Sequence, residues 1–196
     1  MKFALKLVAA SAVMAMAGAA FAQSGQTVKI ALIEGLSGSF ANVGQNELTS
    51  WQYVASYFAG NRNSAGVTFQ IDPFDSGGSP QGAVTQLDAA IGRGYRYVTQ
   101  GGSSGAALAL EQAVTKYNER NPGKEVVYIN YGAVSPSMTN EDCSFWHFRL
   151  DADTTMRMEA LTTCMKDKPE VKKVYLLDQD DSHGHEVSKY FQEDIK

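Results

Sequence analysis

Cysteine is almost missing from this 196-residue sequence: Cys143 and Cys164 are the only two. None follows directly after Ala22, so a lipid anchor on a newly exposed cysteine is not indicated. Basic residues are in deficit as well. Seventeen Lys and Arg stand against 21 Asp and Glu, a formal net charge of −4. That balance disfavours nucleic acid and anionic membrane surfaces as partners. Beyond residue 22 no apolar run approaches the roughly 20 residues of a bilayer span. Internal repeats, low-complexity tracts and long charge runs are lacking too.

What is present begins with an export signal. Lys2 and Lys6 supply positive charge, Leu5 to Phe21 is largely apolar, and Ala20-Phe21-Ala22 has the small-residue spacing of a cleavage site. Residues 1–22 therefore read as a signal peptide cut after Ala22, leaving a soluble exported product. Without Lys2 and Lys6 the balance is 15 basic to 21 acidic residues, a net charge of −6. An exported chain meets oxidising conditions, which permit a disulfide. "CSFWHFRL" reads as a strand and "TTMRMEALTTCMK" as a helix returning beside it. The strand would run roughly 20 Å and the helix climb back roughly 15 Å. A Cys143–Cys164 bridge is the expectation.

Along the chain, strand and helix alternate. "VKIALIEGL" is an apolar run ending in glycine and predicts a buried strand. "NELTSWQYVASYFAGN" predicts a helix, with Leu48, Trp51, Tyr53, Val54, Tyr57 and Phe58 at helical spacing and read as core. "VTFQIDPFD" alternates as a strand; Ser79 and Pro80 are the cap and first residue of the next helix. "YRYVTQG", "EVVYINYGA", "CSFWHFRL" and "KKVYLLDQD" are further strands, and helices follow the first, third and fourth of these. The pattern gives an α/β fold, a parallel sheet flanked by helices. Ligands bind outside the carboxyl ends of such strands. The loops there are rich in Gly and Ser, which let N–H groups and hydroxyls converge on a polar ligand.

One loop offers two readings. Gly101-Gly102-Ser103-Ser104-Gly105 fits G-x-S-x-G, the nucleophile elbow of serine hydrolases. With Asp178 or Asp180 and His183 or His185 it completes a triad in the right chain order, but no oxyanion-type H-G-G-G loop precedes it. The same loop opens a helix, whose free N–H groups and positive dipole end suit a ligand carboxylate. The carboxylate reading is preferred, and no catalytic residue is assigned. His183, His185, Asp180, Asp181 and Glu186 could suggest a metal, but a capped, solvated helix entry explains them better, so neither metal nor cofactor is expected.

The stretches "VKIALIEGLSGSFANVGQNE", "QIDPFDSGGSPQGAVTQ", "INYGAVSPSMTN" and "VYLLDQDDSHGHE", in that order, resemble the exported substrate-binding proteins of branched-chain amino acid ABC transporters. That family has the type I periplasmic binding protein fold. The resemblance covers Val28 to Lys196, and "CSFWHFRLDA" is similar to members for branched-chain or aromatic acid uptake. It implies a two-lobed clamshell with the ligand in the cleft. Residues 23–149 would form the first lobe and 150–196 the start of a second, with a crossover near Arg149 to Asp153; the family's second half is absent, so the sequence reads as C-terminally truncated. The implied function is capture of a small carboxylate-bearing solute in the periplasm and delivery, as a monomer, to an inner-membrane ABC permease; a clamshell sensing a ligand for a receptor is the alternative. Carried over residue by residue, the site is Ser104, with Ser103 beside it, and Gly132, Ala133 and Val134. Val134 stands where leucine binders have threonine, so Ser135 is the substitute hydroxyl. Val43 and His183 fall where the family has tyrosines.

Overall fold

The computed structural model describes residues 25–196, so the signal peptide expected over residues 1–22 lies outside the described residues. The strands are β1 (Thr27–Glu34), β2 (Thr68–Asp75), β3 (Tyr97–Gln100), β4 (Val127–Asn130) and β5 (His147–Arg149). The helices are α1 (Ala41–Tyr57), α2 (Pro80–Gly92), α3 (Ser104–Arg120), α4 (Thr154–Lys166) and α5 (Ser182–Asp194). The strands form one sheet in the order β2-β1-β3-β4-β5. β1–β3, β3–β4 and β4–β5 are parallel, with Ile30 beside Tyr97, Tyr97 beside Val127 and Tyr128 beside His147. The chain therefore leaves β1 towards one edge and crosses back to β3. Between the ends of β1 and β3 the connections diverge, which opens the crevice where doubly wound sheets bind ligands.

By compactness the described chain falls into two units. One comprises residues 25–28 and 52–70. It is held by Thr68 N donating to Gln26 O at 3.0 Å and by Asn63, whose side chain brackets Val67 through both its oxygen and its nitrogen. The other comprises residues 29–51 and 71–196. Its core is mainly aliphatic with a few aromatics: Ala31 and Ile33 of β1, Val98 of β3 and Tyr128 of β4 pack with Ala83 and Leu87 of α2 and Ala107, Leu110 and Val114 of α3. Alternate strand residues and every third or fourth helix residue meet there, as the two periodicities require. Ser79 caps α2, accepting from Gly82 N at 3.0 Å, with Pro80 at the first helical position.

Four expectations are corrected. The Cys143 strand shrinks to His147–Arg149; Cys143 instead lies in a turn, its N–H donating to Asn140 O at 3.3 Å. The geometry that would have returned Cys164 to it is lost, and both cysteines are exposed free thiols. "KKVYLLDQD" is not a strand: residues 171–179 carry no ladder among the described residues. A β-branched apolar run favours extended backbone, but a strand requires a partner edge. The aromatic stripe of α1 is not uniformly core, since Tyr53, Val54, Tyr57 and Phe58 are exposed. Helical spacing identifies an apolar face and does not supply the element that covers it.

Candidate functional site

The carboxyl ends of β1, β3 and β4 converge. Glu34 ends β1, Gly101 follows β3, and Tyr131 and Gly132 follow β4. Glycine is required at the junction: a Cβ on Gly101 would come within 2.6 Å of Gly132 N and 2.8 Å of the Tyr131 ring. Gly101, Gly102, Ser103 and Ser104 line one wall of a small cavity and Gly132, Ala133 and Val134 another; Arg157 of α4 and Gln179, Asp181 and His183 complete it. Its volume is about 80 Å³. With a water occupying roughly 30 Å³, this takes a carboxylate and little more.

The two serines are placed differently. Ser103 is the cap of α3: its hydroxyl accepts from Ala106 N at 3.4 Å and its carbonyl from Ala107 N at 2.9 Å. Ser104, the first residue of the helix, is only 6% exposed and lines the cavity. The N–H groups of Ser104 and Gly105 precede the first intrahelical bond and are unpaired by helix geometry. A buried hydroxyl beside two free N–H groups at the positive end of a helix is an arrangement for an anion. Ser103 is committed to capping and has no base hydrogen-bonded to its hydroxyl, so a nucleophile is not assembled there.

The second wall is fixed by Asn130. Its Oδ1 accepts from Gly132 N at 3.1 Å and Ala133 N at 2.8 Å, while its Nδ2 donates to Ala133 O at 2.7 Å. His147 Nε2 lies 3.2 Å from the same Nδ2, and His147 Nδ1 lies 3.2 Å from Glu111 Oε1, with both side chains about 1% exposed. Nδ2 is a donor, so Nε2 accepts and the ring proton sits on Nδ1, facing Glu111. Val134 O is already used: Thr154 N donates to it at 3.0 Å and the Thr154 hydroxyl at 3.1 Å.

The remaining expected residues divide. His183 lines the cavity and its Nδ1 is buried without a partner. Ser135, the expected substitute hydroxyl, is turned away from the cavity and donates to Glu186 Oε1 at 2.5 Å. Burial holds the Glu186 carboxyl above its ordinary range, against the pull of that hydrogen bond and of the nearby His183 and Lys189. Val43 is 52% exposed on α1 and does not line the cavity. Asp181 caps α5, accepting from Gly184 N at 2.9 Å, and exposed Asp180 pairs with His185 at 3.0 Å. Among the described residues no three His, Cys, Asp or Glu side chains converge as a metal site would need.

Sequence reasoning missed the charged and buried members. Arg157 brings a cation to the cavity, and its Nη2 pairs with Asp151. Glu34 is 3% exposed, and its Oε1 accepts from Gly101 N at 2.7 Å, Gly102 N at 2.9 Å and the Tyr131 hydroxyl at 2.6 Å. Glu47 of α1 lies close by, its Oε2 3.3 Å from where a Cβ on Gly102 would stand, buried and without a donor. Burial raises the Glu47 pKa; Tyr131 draws it down and the Glu34 charge raises it again. Burial and the two carboxylates push the Tyr131 hydroxyl far above its usual range, so it stays a donor.

This site lies in a chain with clear relatives. The periplasmic binding protein family matches residues 27–196. The Leu/Ile/Val-binding protein homolog 4 of Brucella abortus is 37% identical over 192 residues, covering 95% of this chain and 45% of the relative. Among solved structures, the leucine-, isoleucine-, valine-, threonine- and alanine-binding protein of Brucella ovis, in a closed conformation, is 34% identical with a TM-score of 0.71, over 86% of this chain and 43% of that one. A solute-binding protein of an ABC transporter from R. palustris, in complex with 4-hydroxybenzoate, shares the fold at 19% identity and a TM-score of 0.68, over 87% and 44%. The chain thus spans under half the length of these relatives.

Proposed function

The chain belongs to the periplasmic binding protein family, and from that premise we propose that it is an exported binding protein for a small carboxylate-bearing solute, a branched-chain amino acid or a related amino or aromatic acid. Ser104 carries the reading. It is a buried polar residue at the open end of α3, and it lines the cavity. The ligand carboxylate accepts from Ser104 Oγ and from the N–H groups of Ser104 and Gly105, with the Arg157 charge contributing across the cavity. The Gly132–Val134 wall closes around it, and His183 offers a further polar contact. The cavity accounts for the anchored end of the solute only, because ligand pockets of this kind usually hold at least roughly 300 Å³.

Residues 1–22 direct export to the periplasm and are removed after Ala22. Residues 23–149 form one lobe and 150–196 begin a second, the crossover lying at Arg149 to Asp153. The protein acts as a monomer and passes its solute to an inner-membrane ABC permease. The Brucella relatives support a branched-chain amino acid as cargo, and the R. palustris protein an aromatic acid.

A thermal-shift screen against L-leucine, L-isoleucine and 4-hydroxybenzoate tests this. A ligand that binds only the folded state at a hundred times its Kd stabilises it by about 2.7 kcal/mol. The expected result is a raised melting temperature with one of the three. A ligand-induced shift that survives unchanged in Ser104→Ala would remove the cradle as the binding site.

A further inference from the structure

The two walls of the cavity are joined from beneath by a single atom. Glu34 Oε1 receives Gly101 N and Gly102 N from the loop after β3 and the Tyr131 hydroxyl from the loop after β4. Those donors lie 67, 68 and 97 positions along the chain from Glu34. Three donors on one buried carboxylate oxygen form charge-assisted bonds, about twice as strong as neutral ones. Gly101 is also where the two loops touch, since even a Cβ there would collide with Gly132 N. Gly102 lies against the other oxygen, with Glu34 Oε2 2.7 Å from where its Cβ would stand. Neither loop can shift without losing a bond to Glu34.

We propose that Glu34 is the positioning residue of the cradle: by clamping both loops on one oxygen it takes up the Gly101 and Gly102 N–H groups and leaves Ser104 and Gly105 as the donors for a bound carboxylate. The proposal rests on the carboxylate reading of the cavity for its consequence, but not for its geometry. A glycine-rich loop with four free N–H groups would have several ways to hold an anion. With two of them consumed by an internal carboxylate, the two at the mouth of α3 remain. The internal charge also disfavours a second anion at Gly101 and Gly102, so the ligand carboxylate is confined to the mouth of α3. Tyr131 acts as the strut. Its ring packs edge-on to Trp51 of α1 at 5.7 Å between centroids, and its hydroxyl reaches Glu34 from the second wall.

The test reads the two loops directly, by amide hydrogen exchange and ¹⁵N chemical shifts in the full chain without ligand, then with L-isoleucine. In Glu34→Ala, exchange at Gly101 and Gly102 should quicken by about tenfold or more, the loss of a charge-assisted bond. Glu34→Gln keeps an acceptor oxygen and should restore most of that protection. Tyr131→Phe, which leaves the ring in place, should loosen Gly132 and Ala133 and leave Gly101 and Gly102 within about threefold of the wild type. If Glu34→Ala cannot be prepared folded, the Gln and Phe variants decide. Unchanged protection at Gly132 in Tyr131→Phe, or unchanged Gly101 and Gly102 shifts in Glu34→Gln and Glu34→Ala alike, would overturn the clamp. Affinity is a separate readout. Where L-isoleucine binds the wild type, Glu34→Ala should weaken it at least as much as Ser104→Ala does, and equal binding would also overturn the proposal. Where L-isoleucine does not bind, isoleucine is excluded as the cargo while the exchange data still judge the clamp.

Discussion

Ser103 and Ser104 are adjacent, chemically identical and engaged in different tasks. The motif G-x-S-x-G points to Ser103, but that hydroxyl caps α3 through Ala106 N. Ser104 sits one residue further on, buried and lining the cavity. Ser103→Ala should therefore cost about 1 kcal/mol of stability, the usual value of a lost cap, with affinity nearly unchanged. Ser104→Ala should leave the melting temperature nearly unchanged and weaken carboxylate binding by roughly tenfold or more, as for a lost hydrogen bond to a charged group. Calorimetric titration alongside thermal melts separates the two; the opposite assignment of effects would exchange their roles. Glu47 makes a different residue-level prediction. Its folded pKa lies above the ordinary value of 4.5, chiefly through burial. Stability associated with its proton is present below that ordinary value and is lost as pH rises through the raised one. Glu47→Gln should thus melt higher than the parent at neutral pH and converge with it below about pH 4.5. A gap that persists at low pH would show that the charge is not the cause. Of these residues the serines were legible in the sequence, because a glycine-serine loop before a helix has a local meaning. Glu34 and Glu47 were not, because their partners are brought by the sheet and by α1 from distant parts of the chain.

Helix starts were the most legible elements. Ser79 and Pro80 open α2 as their residue types require, and Asp181 caps α5. Asp153 is the more consequential cap. It accepts from Met156 N at 3.0 Å to open α4 and takes an ion pair from Arg149 Nη2 at 3.1 Å, both side chains about 6% exposed. Arg149 also donates to Ser135 O and to the Thr139 hydroxyl, each at 2.8 Å. One aspartate thereby fixes the end of β5, the start of α4 and the loop beyond Val134. Burial alone would raise its pKa, but the Thr155 hydroxyl, the Met156 N–H and Arg149 outweigh it and hold it below 3.8. Its contribution is present above pH 3.8 and lost as pH falls through the lower folded value. Asp153→Ala should cost roughly 3 kcal/mol at neutral pH, the scale of a broken buried pair, and Asp153→Asn less, because asparagine still caps. Denaturant melts at several pH values check this: both deficits should shrink in acid, and an Asp153→Asn variant as stable as the wild type would deny Arg149 any part. The sequence showed a polar stretch between a strand and a helix here, but not that Arg149 and Asp153 pair, because a pair four residues apart is informative only once the turn between them is known.

At the scale of the whole molecule, alternation of strand and helix was enough to predict the α/β sheet, since each run carries its own period. The order β2-β1-β3-β4-β5 was not legible, and with it went the reason the site lies where it does: the connections diverge between β1 and β3, which brings Glu34 beside Gly101. The same limit explains the missing strand. "KKVYLL" has strand composition, yet Val174, Tyr175 and Leu177 are exposed and no described strand pairs with them. Propensity biases φ and ψ, whereas a ladder bonds two edges, and only the second protects backbone from solvent. The neighbouring groove, about 810 Å³ and lined by Lys172, Lys173 and Gln192 as well as Tyr175, Phe191 and Ile195, is larger than the carboxylate cavity but includes no residue from the carboxyl ends of β1, β3 and β4. Unpaired, exposed backbone is where a protease gains its footing. Limited trypsin digestion of the chain should accordingly cut first after Lys172 or Lys173, since the bond after Lys168 is blocked by Pro169. β1 to β4 should remain intact while α5 is released, and ligand protection of the site should slow the second stage of digestion rather than the first. First cleavage at Lys29 or Arg96 with residues 171–179 uncut would show instead that this segment is held in a ladder.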